Sequence, residues 1–422
     1  MAQNQSSTVK RRRVFYIPGY DPIHPRRYRE LYRKESRDQA AISGYDIAIS
    51  PRKGALYGWN VEATINETAV SAEVEVLVWS DIVRDSMSNT ISATYLQLVR
   101  TAWTYIASGT LRRLMWLRKG PVIAALYPVG MLIVQMMLAI LAIWAVSSVL
   151  ARGIGVMEQW IWPDRAATPL YYPKLIASLA AGAVAGVAVL RWFKARDGKF
   201  FAYYLMHDYA YSARSKGANT PELEARMAEF TDVIAAALTD DVDEVLVVGH
   251  SSGAHLAVSC LADLIRQNRV PANGPVLSFL SLGQVVPMVS FLPKADRLRA
   301  DLHYLSQREE VTWVDVTAPG DGCAFALCDP VAVSGVAPKN QTGPLVISAA
   351  FTQTLKPETW AKLRWRFFRL HFQYLCAFDN PGDYDYFQIT AGPITLRERY
   401  KDRTPSKSRI DVPASRYTSM AA

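Results

Sequence analysis

An uncharged stretch of thirty residues constrains this chain more than any other feature of its sequence. It runs from Pro121 to Leu150 and contains little polarity beyond Gln135 and two serines. The hydrocarbon core of a bilayer is about 30 Å thick and requires roughly 20 apolar residues in a helix. The stretch is therefore long enough to span a membrane, with room for tilt and for a kink at Pro128.

A second apolar stretch, from Leu175 to Leu190, follows after a short connection and is built mostly from small residues. Gly182 and Gly186 stand in the GxxxG relation that allows two helices to approach closely in a bilayer. Aromatic residues of the kind found at membrane interfaces flank this stretch: Tyr171, Tyr172 and Trp192. Together the two stretches predict a transmembrane hairpin in which the second helix packs against the first.

The distribution of charge predicts how this hairpin is oriented. The chain has 47 Lys and Arg residues against 38 Asp and Glu residues, a net charge of +9. Basic residues cluster before the first stretch and after the second: Arg112, Arg113, Arg118 and Lys119, then Arg191, Lys194, Arg196 and Lys199. Since cytoplasmic flanks of membrane helices are enriched in Lys and Arg, we expect a membrane protein with both termini and both large parts in the cytoplasm.

The rest of the chain alternates apolar strands with helices, which predicts an α/β fold. Before the hairpin, the run VFYI from Val14 is a strand candidate that precedes a charged helix. After the hairpin, the apolar runs that begin at Val245, Val276 and Val311 each end in turn residues, as buried parallel strands do.

These patterns divide the chain into four parts. Residues 13–117 form the first part of the α/β domain, residues 118–192 form the inserted hairpin, and residues 193–396 form the second part of the domain. Residues 397–422 are rich in Arg, Lys, Ser and Pro and are expected to form a disordered basic tail.

The residues from Gly249 to Gly253 read GHSSG, an instance of the pattern G-x-S-x-G. They follow the strand candidate at Val245 directly and open a helical stretch, which is the placement that a nucleophile elbow requires. The glycines leave room for a tight turn that exposes Ser251 above the edge of the sheet. Ser251 is therefore the candidate nucleophile, and a plain turn with a serine-rich helix cap is the alternative.

With this motif in place, the sequence resembles the α/β-hydrolase superfamily, and in particular its lipase-like and esterase-like members. The resemblance extends over residues 13–117 and 193–393. It implies a mostly parallel sheet with helices on both faces, with the two-helix hairpin inserted between the early strands and the elbow.

The resemblance also implies that an acid follows the serine along the chain and that a histidine follows the acid. Asp321, in a loop after the strand candidate at Val311, is the preferred acid, and His371 is then the only histidine downstream. His371 would take the proton of Ser251 and later protonate the leaving group. Three further acids remain open as alternatives: Asp315, Asp379 and Asp383.

Acyl transfer also needs donors for an oxyanion. The resemblance implies that one donor is the backbone N–H of Ser252, directly after the nucleophile. The second donor comes from the loop after an early strand, and the sequence IPGYDP fits that loop. The N–H of Tyr20 is then the second candidate donor, with Gly19 allowing close approach; a plain Pro-Gly turn is the alternative.

These expectations favour a membrane-anchored serine hydrolase that cleaves small-molecule or lipid acyl esters. The alternative is a catalytically inactive membrane scaffold that keeps the fold and binds a partner. No cofactor is expected, and the histidines and the four cysteines lack the spacing of metal ligands. Nucleic-acid binding is not expected, because the positive charge lies at the membrane flanks and the tail without a recognition module.

Overall fold

The computed structural model describes residues 8–20, 24–86, 90–163 and 171–421. The chain divides into two compact units. The first unit comprises Met1–Ser86, Trp103–Ala124 and Tyr211–Ala422, and the second comprises Met87–Ala102 and Ala125–Ala210. Part of the predicted connection between the two apolar stretches, residues 164–170, lies outside the described residues.

The first unit is built on one mixed sheet of eight strands. Its strands are β1 (Arg11–Ile17), β2 (Asp46–Pro51), β3 (Gly58–Ile65), β4 (Thr68–Val76), β5 (Glu244–His250), β6 (Val276–Leu282), β7 (Val311–Thr317) and β8 (Leu345–Ser348). They lie side by side in the order β2-β3-β4-β1-β5-β6-β7-β8. The six strands from β4 to β8 in this order are mutually parallel, whereas β2, β3 and β4 form an antiparallel meander. The predicted α/β class is thus confirmed.

Eighteen helical segments accompany these strands in the described part of the chain. They are α1 (Arg26–Ser43), α2 (Ser80–Ser86), α3 (Ile91–Ala107), α4 (Thr110–Leu117), α5 (Lys119–Ile161), α6 (Tyr171–Ala195), α7 (Asp197–Phe200), α8 (Ala202–Arg214), α9 (Pro221–Ala237), α10 (Gly253–Arg266), α11 (Val286–Ser290), α12 (Asp296–Leu305), α13 (Pro330–Val333), α14 (Phe351–Thr354), α15 (Pro357–Leu363), α16 (Phe367–His371), α17 (Tyr386–Ala391) and α18 (Leu396–Tyr400). A 3-10 turn, Gln373–Leu375, follows α16.

The central strands are apolar because both of their faces are covered. Every residue of β5 and of β6 is buried, as expected for parallel strands between two layers of helices. On one face, Val14 of β1 and Leu246 of β5 share a core cluster with Tyr28 and Tyr32 of α1 and Phe387 of α17. On the other side of the sheet, α10 packs against β5 and also against α9 and α12.

A buried ion pair lies at the edge of the sheet where β1 and β5 begin. The guanidinium of Arg12 donates from Nε to Glu244 Oε2 at 2.7 Å, and both side chains are fully buried. The remaining donors of Arg12 reach the carbonyl oxygens of Gly392 and Ile394, while Glu244 accepts bonds from Ser278 and from the N–H of Leu396. The pair therefore fastens the segment around Gly392 to the sheet.

The segment after Arg397 differs from the disordered tail that its composition predicted. Ile410 donates its N–H to Leu327 O at 2.7 Å, and Ala414, which is buried, donates to Val333 O at 2.9 Å. These hydrogen bonds hold the tail against the rest of the first unit. A few apolar residues thus anchor a stretch whose average composition is that of a disordered one.

The second unit contains α6 and the part of α5 that follows Ala124. The long helix α5 and the helix α6 have mean hydropathies of 2.4 and 1.8 over their most apolar windows, and only 17% of each window is buried. Both helices are long and apolar enough to cross a membrane. Core helices of soluble proteins, in contrast, are mostly buried.

Helices α5 and α6 approach each other closely at the predicted glycines. An added Cβ on Gly186 would lie 2.6 Å from Cγ1 of Ile143, and one on Gly182 would lie 2.8 Å from the carbonyl oxygen of Ile143. The hydroxyl of Ser147 donates to Ser178 O at 2.9 Å across the same contact. The two glycines therefore allow the backbones to pack as the GxxxG pattern predicts.

Candidate active site

The turn between β5 and α10 holds Ser251 in a strained backbone conformation. Its φ angle is +57°, in the left-handed region that residues other than glycine rarely adopt. The N–H of Ser251 donates to Leu282 O at the end of β6, at 2.9 Å, which holds the turn against the sheet. Ser251 is partly exposed, whereas Ser252 is buried. This is the geometry of a nucleophile elbow.

The turn after β1 packs directly against this elbow. An added Cβ on Gly19 would lie 2.8 Å from Cβ of Ser251 and 3.3 Å from its Oγ. An added Cβ on Gly253 would lie 2.5 Å from Pro18 O. The indole N–H of Trp79 donates to the same carbonyl oxygen at 2.9 Å and fixes the turn from behind. The backbone around Gly19 can therefore approach a group bound at Ser251.

The structure brings together the acid and the base that sequence order selected. His371 lies at the end of α16, and its Nδ1 donates to Oδ2 of Asp321 at 2.7 Å. Both residues are buried. Because Nδ1 carries the donated proton, Nε2 of a neutral His371 is left as an acceptor, the form that a general base requires.

The carboxylate of Asp321 is held by three donors. Oδ2 also accepts the hydroxyl of Tyr374 at 3.0 Å, and Oδ1 accepts the N–H of Cys323 at 2.8 Å. Burial alone would raise the pKa of Asp321, but its electrostatic interaction with His371 and these hydrogen bonds outweigh that effect and lower the pKa below its usual value. Asp321 is therefore ionised and can stabilise a protonated His371.

His371 lies at the same edge of the sheet as Ser251. An added Cβ on Gly283 would lie 3.1 Å from Cε1 of His371, and Gly283 directly follows Leu282, the residue that accepts the N–H of Ser251. Within the described residues, no hydrogen bond joins the Ser251 hydroxyl to the His371 ring. Catalytic bonds of this kind are often long without substrate and tighten when it binds.

His250, directly before Ser251, also contacts the candidate base. Its Nε2 donates to the carbonyl oxygen of His371 at 3.0 Å, and the two ring centroids are 4.9 Å apart. Burial, and after it the electrostatic interaction with His371, lowers the pKa of His250 to about 3, so its ring is neutral. Its place directly before Ser251 is the only sequence signal for this contact.

The three alternative acids bond to residues other than His371. Asp315 lies inside β7 and accepts the hydroxyl of Ser281 at 2.5 Å; Asp379 accepts the N–H of Lys356, and Asp383 pairs with Arg403 at 2.6 Å. The remaining histidine beyond the elbow helix, His303, donates to the carbonyl oxygen of Val336. Among the acids considered from the sequence, Asp321 alone is bonded to His371.

The two expected oxyanion donors differ in their surroundings. Within the described residues, the N–H of Ser252 has no hydrogen-bond acceptor, as an oxyanion donor should before substrate binds. The N–H of Tyr20 instead donates to Oγ of Ser252 at 3.2 Å. In this conformation the buried hydroxyl of Ser252 therefore occupies the second predicted donor.

Cys323 lies beside the acid and the base. Donor atoms of Asp321, Cys323 and His371 all fall within 4.8 Å of one another, a spacing compatible with a metal ion. However, burial first, and then the charge of Asp321, raise the pKa of the Cys323 thiol well above its usual value, whereas metals bind the thiolate. The 2.7 Å hydrogen bond between Asp321 and His371 already accounts for their proximity as an acid–base pair.

Comparison with known proteins adds no identity to this geometry. No protein-family model matches the chain, and neither a curated protein nor a solved structure is significantly similar to it.

Proposed function

We propose that the chain is a serine hydrolase of the α/β-hydrolase type that is anchored in a membrane by α5 and α6 and cleaves carboxylic esters. One observation carries the proposal. The hydrogen-bonded pair of Asp321 and His371 lies at the sheet edge where Ser251 occupies a strained turn between a parallel strand and a helix. A surface histidine with only a structural role would need neither a buried carboxylate partner nor a position near Ser251.

The proposed reaction follows from these roles. Oγ of Ser251 attacks the acyl carbon while Nε2 of His371 takes the hydroxyl proton, and Asp321 stabilises the imidazolium that forms. The N–H of Ser252 donates to the developing oxyanion. The alcohol then leaves with the proton from His371, and water, activated by the same base, hydrolyses the acyl-enzyme and frees Ser251.

A second donor to the oxyanion requires a local change. If the hydroxyl of Ser252 rotates away, the N–H of Tyr20 becomes available on the other side of the acyl oxygen. Gly19 keeps that side of the site free of a side chain, since its added Cβ would contact Ser251. Binding of substrate would thus exchange the Tyr20 to Ser252 bond for a bond to the oxyanion.

Membrane anchoring is supported by composition and packing. Large apolar residues are exposed on both α5 and α6; Trp144 is 64% exposed and Val184 is 70% exposed. Such a surface is unfavourable in water and favourable in lipid. Basic residues flank the pair of helices, which favours a cytoplasmic location for the hydrolase part.

Labelling with a fluorophosphonate tests the proposal, and the motif offers its own matched control. We expect the detergent-solubilised full chain to be labelled, Ser251→Ala to abolish labelling, and Ser252→Ala, one residue away, to retain it. His371→Ala should slow labelling by about 10⁴-fold or more, whereas His303→Ala should not. A folded wild-type chain that is not labelled would refute the hydrolase and favour the inactive scaffold.

A further inference from the structure

A short exposed segment beside the active site combines aromatic and basic residues. Residues 364–369, which we call the RWRFFR segment, comprise the three residues between α15 and α16 and the first three residues of α16, and all six are exposed. Trp365 is 72% exposed, and Phe367 and Phe368 are each 41% exposed. Three large aromatic side chains in one exposed run form an apolar surface of the kind that marks an interaction site.

The charge of this surface is of one sign. No acidic residue occurs between Glu358 and Asp379, a stretch that includes Lys362 and the three arginines of the segment. Arg369 donates to Cys376 and reaches Glu35 at 3.4 Å. Within the described residues, however, Arg364 and Arg366 form no ion pair with a carboxylate. The surface therefore offers unpaired guanidinium groups next to exposed aromatic rings.

The segment is held in place from its inner side. Leu363 of α15 and Leu370 of α16, immediately before and after it, pack into the core. Trp360 and Phe367 cover the loop that carries the catalytic acid: an added Cβ on Gly320 would lie 2.6 Å from the Trp360 ring. An added Cβ on Gly322 would lie 2.9 Å from the ring of Phe367. The exposed side chains of the segment therefore extend from a backbone that is packed against the core next to Asp321.

We propose that the RWRFFR segment is a docking surface for an anionic lipid bilayer. Arginine and tryptophan are suited to this occupant, because guanidinium groups bind lipid phosphates and carboxylates while indole and phenyl rings enter the interface. A bilayer is also the anionic surface to which a chain with two candidate membrane helices would be held. Docking would bring the residues around His371 against the lipid.

The test of this docking surface is independent of the proposed hydrolase reaction, because it measures protection of the segment from hydrogen exchange and not hydrolysis. The full chain is placed in nanodiscs of phosphatidylcholine, either alone or with about 30% phosphatidylserine. Amide hydrogen exchange is then followed by mass spectrometry in peptides that cover residues 359–370. We expect slower exchange of these peptides in the discs that contain phosphatidylserine, and loss of this difference at high salt.

Variants separate the contribution of charge from that of the aromatic rings. Each basic residue near an anionic membrane contributes about five-fold in affinity, so Arg364→Gln/Arg366→Gln should lower the ratio of docked to undocked segment by about 25-fold. Trp365→Ser should weaken protection without changing the net charge. Lys53→Gln/Lys339→Gln, which removes two exposed charges elsewhere, should leave the protection unchanged.

Three results would overturn the proposal. The first is equal exchange of residues 359–370 in both kinds of disc. The second is a difference that survives Arg364→Gln/Arg366→Gln in a variant with unchanged thermal stability. The third is protection in phosphatidylcholine discs by inorganic phosphate or by a single-stranded oligonucleotide to the same extent as by phosphatidylserine, which would assign the segment to soluble anions.

Discussion

Replacement of Gly19 by alanine tests whether the turn after β1 forms one wall of the active site. The added Cβ would lie 2.8 Å from Cβ of Ser251, and ordinary contacts of this kind begin at 3.4 Å, so the two groups must separate by about 0.6 Å. The φ angle of Gly19 lies outside the left-handed region, so alanine causes no backbone strain. Crowding of a packed site by one methyl group costs about 1–3 kcal/mol.

The slowing of the reaction of Ser251 should be of the size that this crowding energy predicts. A misplacement of about 1 Å at a reacting group lowers rates by about 100-fold, so a shift of roughly half that size should slow fluorophosphonate labelling of Ser251 by about 10- to 100-fold. Gly44→Ala is the matched control. Gly44 has a φ of +72° and no atom within 4 Å of an added Cβ, so the variant should lose about 1 kcal/mol of stability and keep its labelling rate.

If Gly19→Ala folds with wild-type thermal stability and is labelled at the wild-type rate, the turn after β1 does not contact the nucleophile. The oxyanion role proposed for Tyr20 would then lose its structural basis.

Three further predictions concern buried polar groups. Arg12→Met leaves Glu244 buried without its partner and should cost about 3–5 kcal/mol in chemical denaturation, whereas adding Glu244→Gln should restore most of the loss; equal stability of the two variants would contradict this. Burial raises the pKa of Asp315 from 3.8 to about 8. The stability that Asp315 confers is therefore complete below about pH 4 and falls by about 1.4 kcal/mol per pH unit as the pH rises to about 8. Asp315→Asn should flatten that slope of stability against pH, and an unchanged slope would exclude Asp315 as its source. Tyr374→Phe removes a donor to Asp321 and should slow fluorophosphonate labelling by about 10-fold, with little change in the reversible binding of the probe. Labelling at the wild-type rate would show that the donor is dispensable.

The central strands and the elbow could be predicted because their signals are local. The runs that became β1, β5, β6 and β7 are continuous apolar segments that end in turns, and GHSSG lies between a strand and a helix as it does in the structure. Chain order then selected Asp321 and His371, which the structure joins by a hydrogen bond.

Other elements carry weaker local signals. Strand β8 has only four residues, and β2 is a half-exposed strand at the edge of the sheet, so neither shows a strong apolar pattern. The tail was misjudged because composition averages over the isolated apolar residues, such as Ala414, that anchor it. The bond from His250 to His371 and the bond from Tyr20 to Ser252 depend on contacts between distant parts of the chain, which periodicity does not encode.

We propose that Ser251 is a nucleophile activated by His371 and Asp321. Peptide mapping by mass spectrometry of the full chain, after reaction with a fluorophosphonate, tests this proposal directly. We expect one phosphonylated site, at Ser251, and about 10⁴-fold slower modification in Asp321→Asn. An adduct on Ser252, or no adduct on a folded chain, would contradict it.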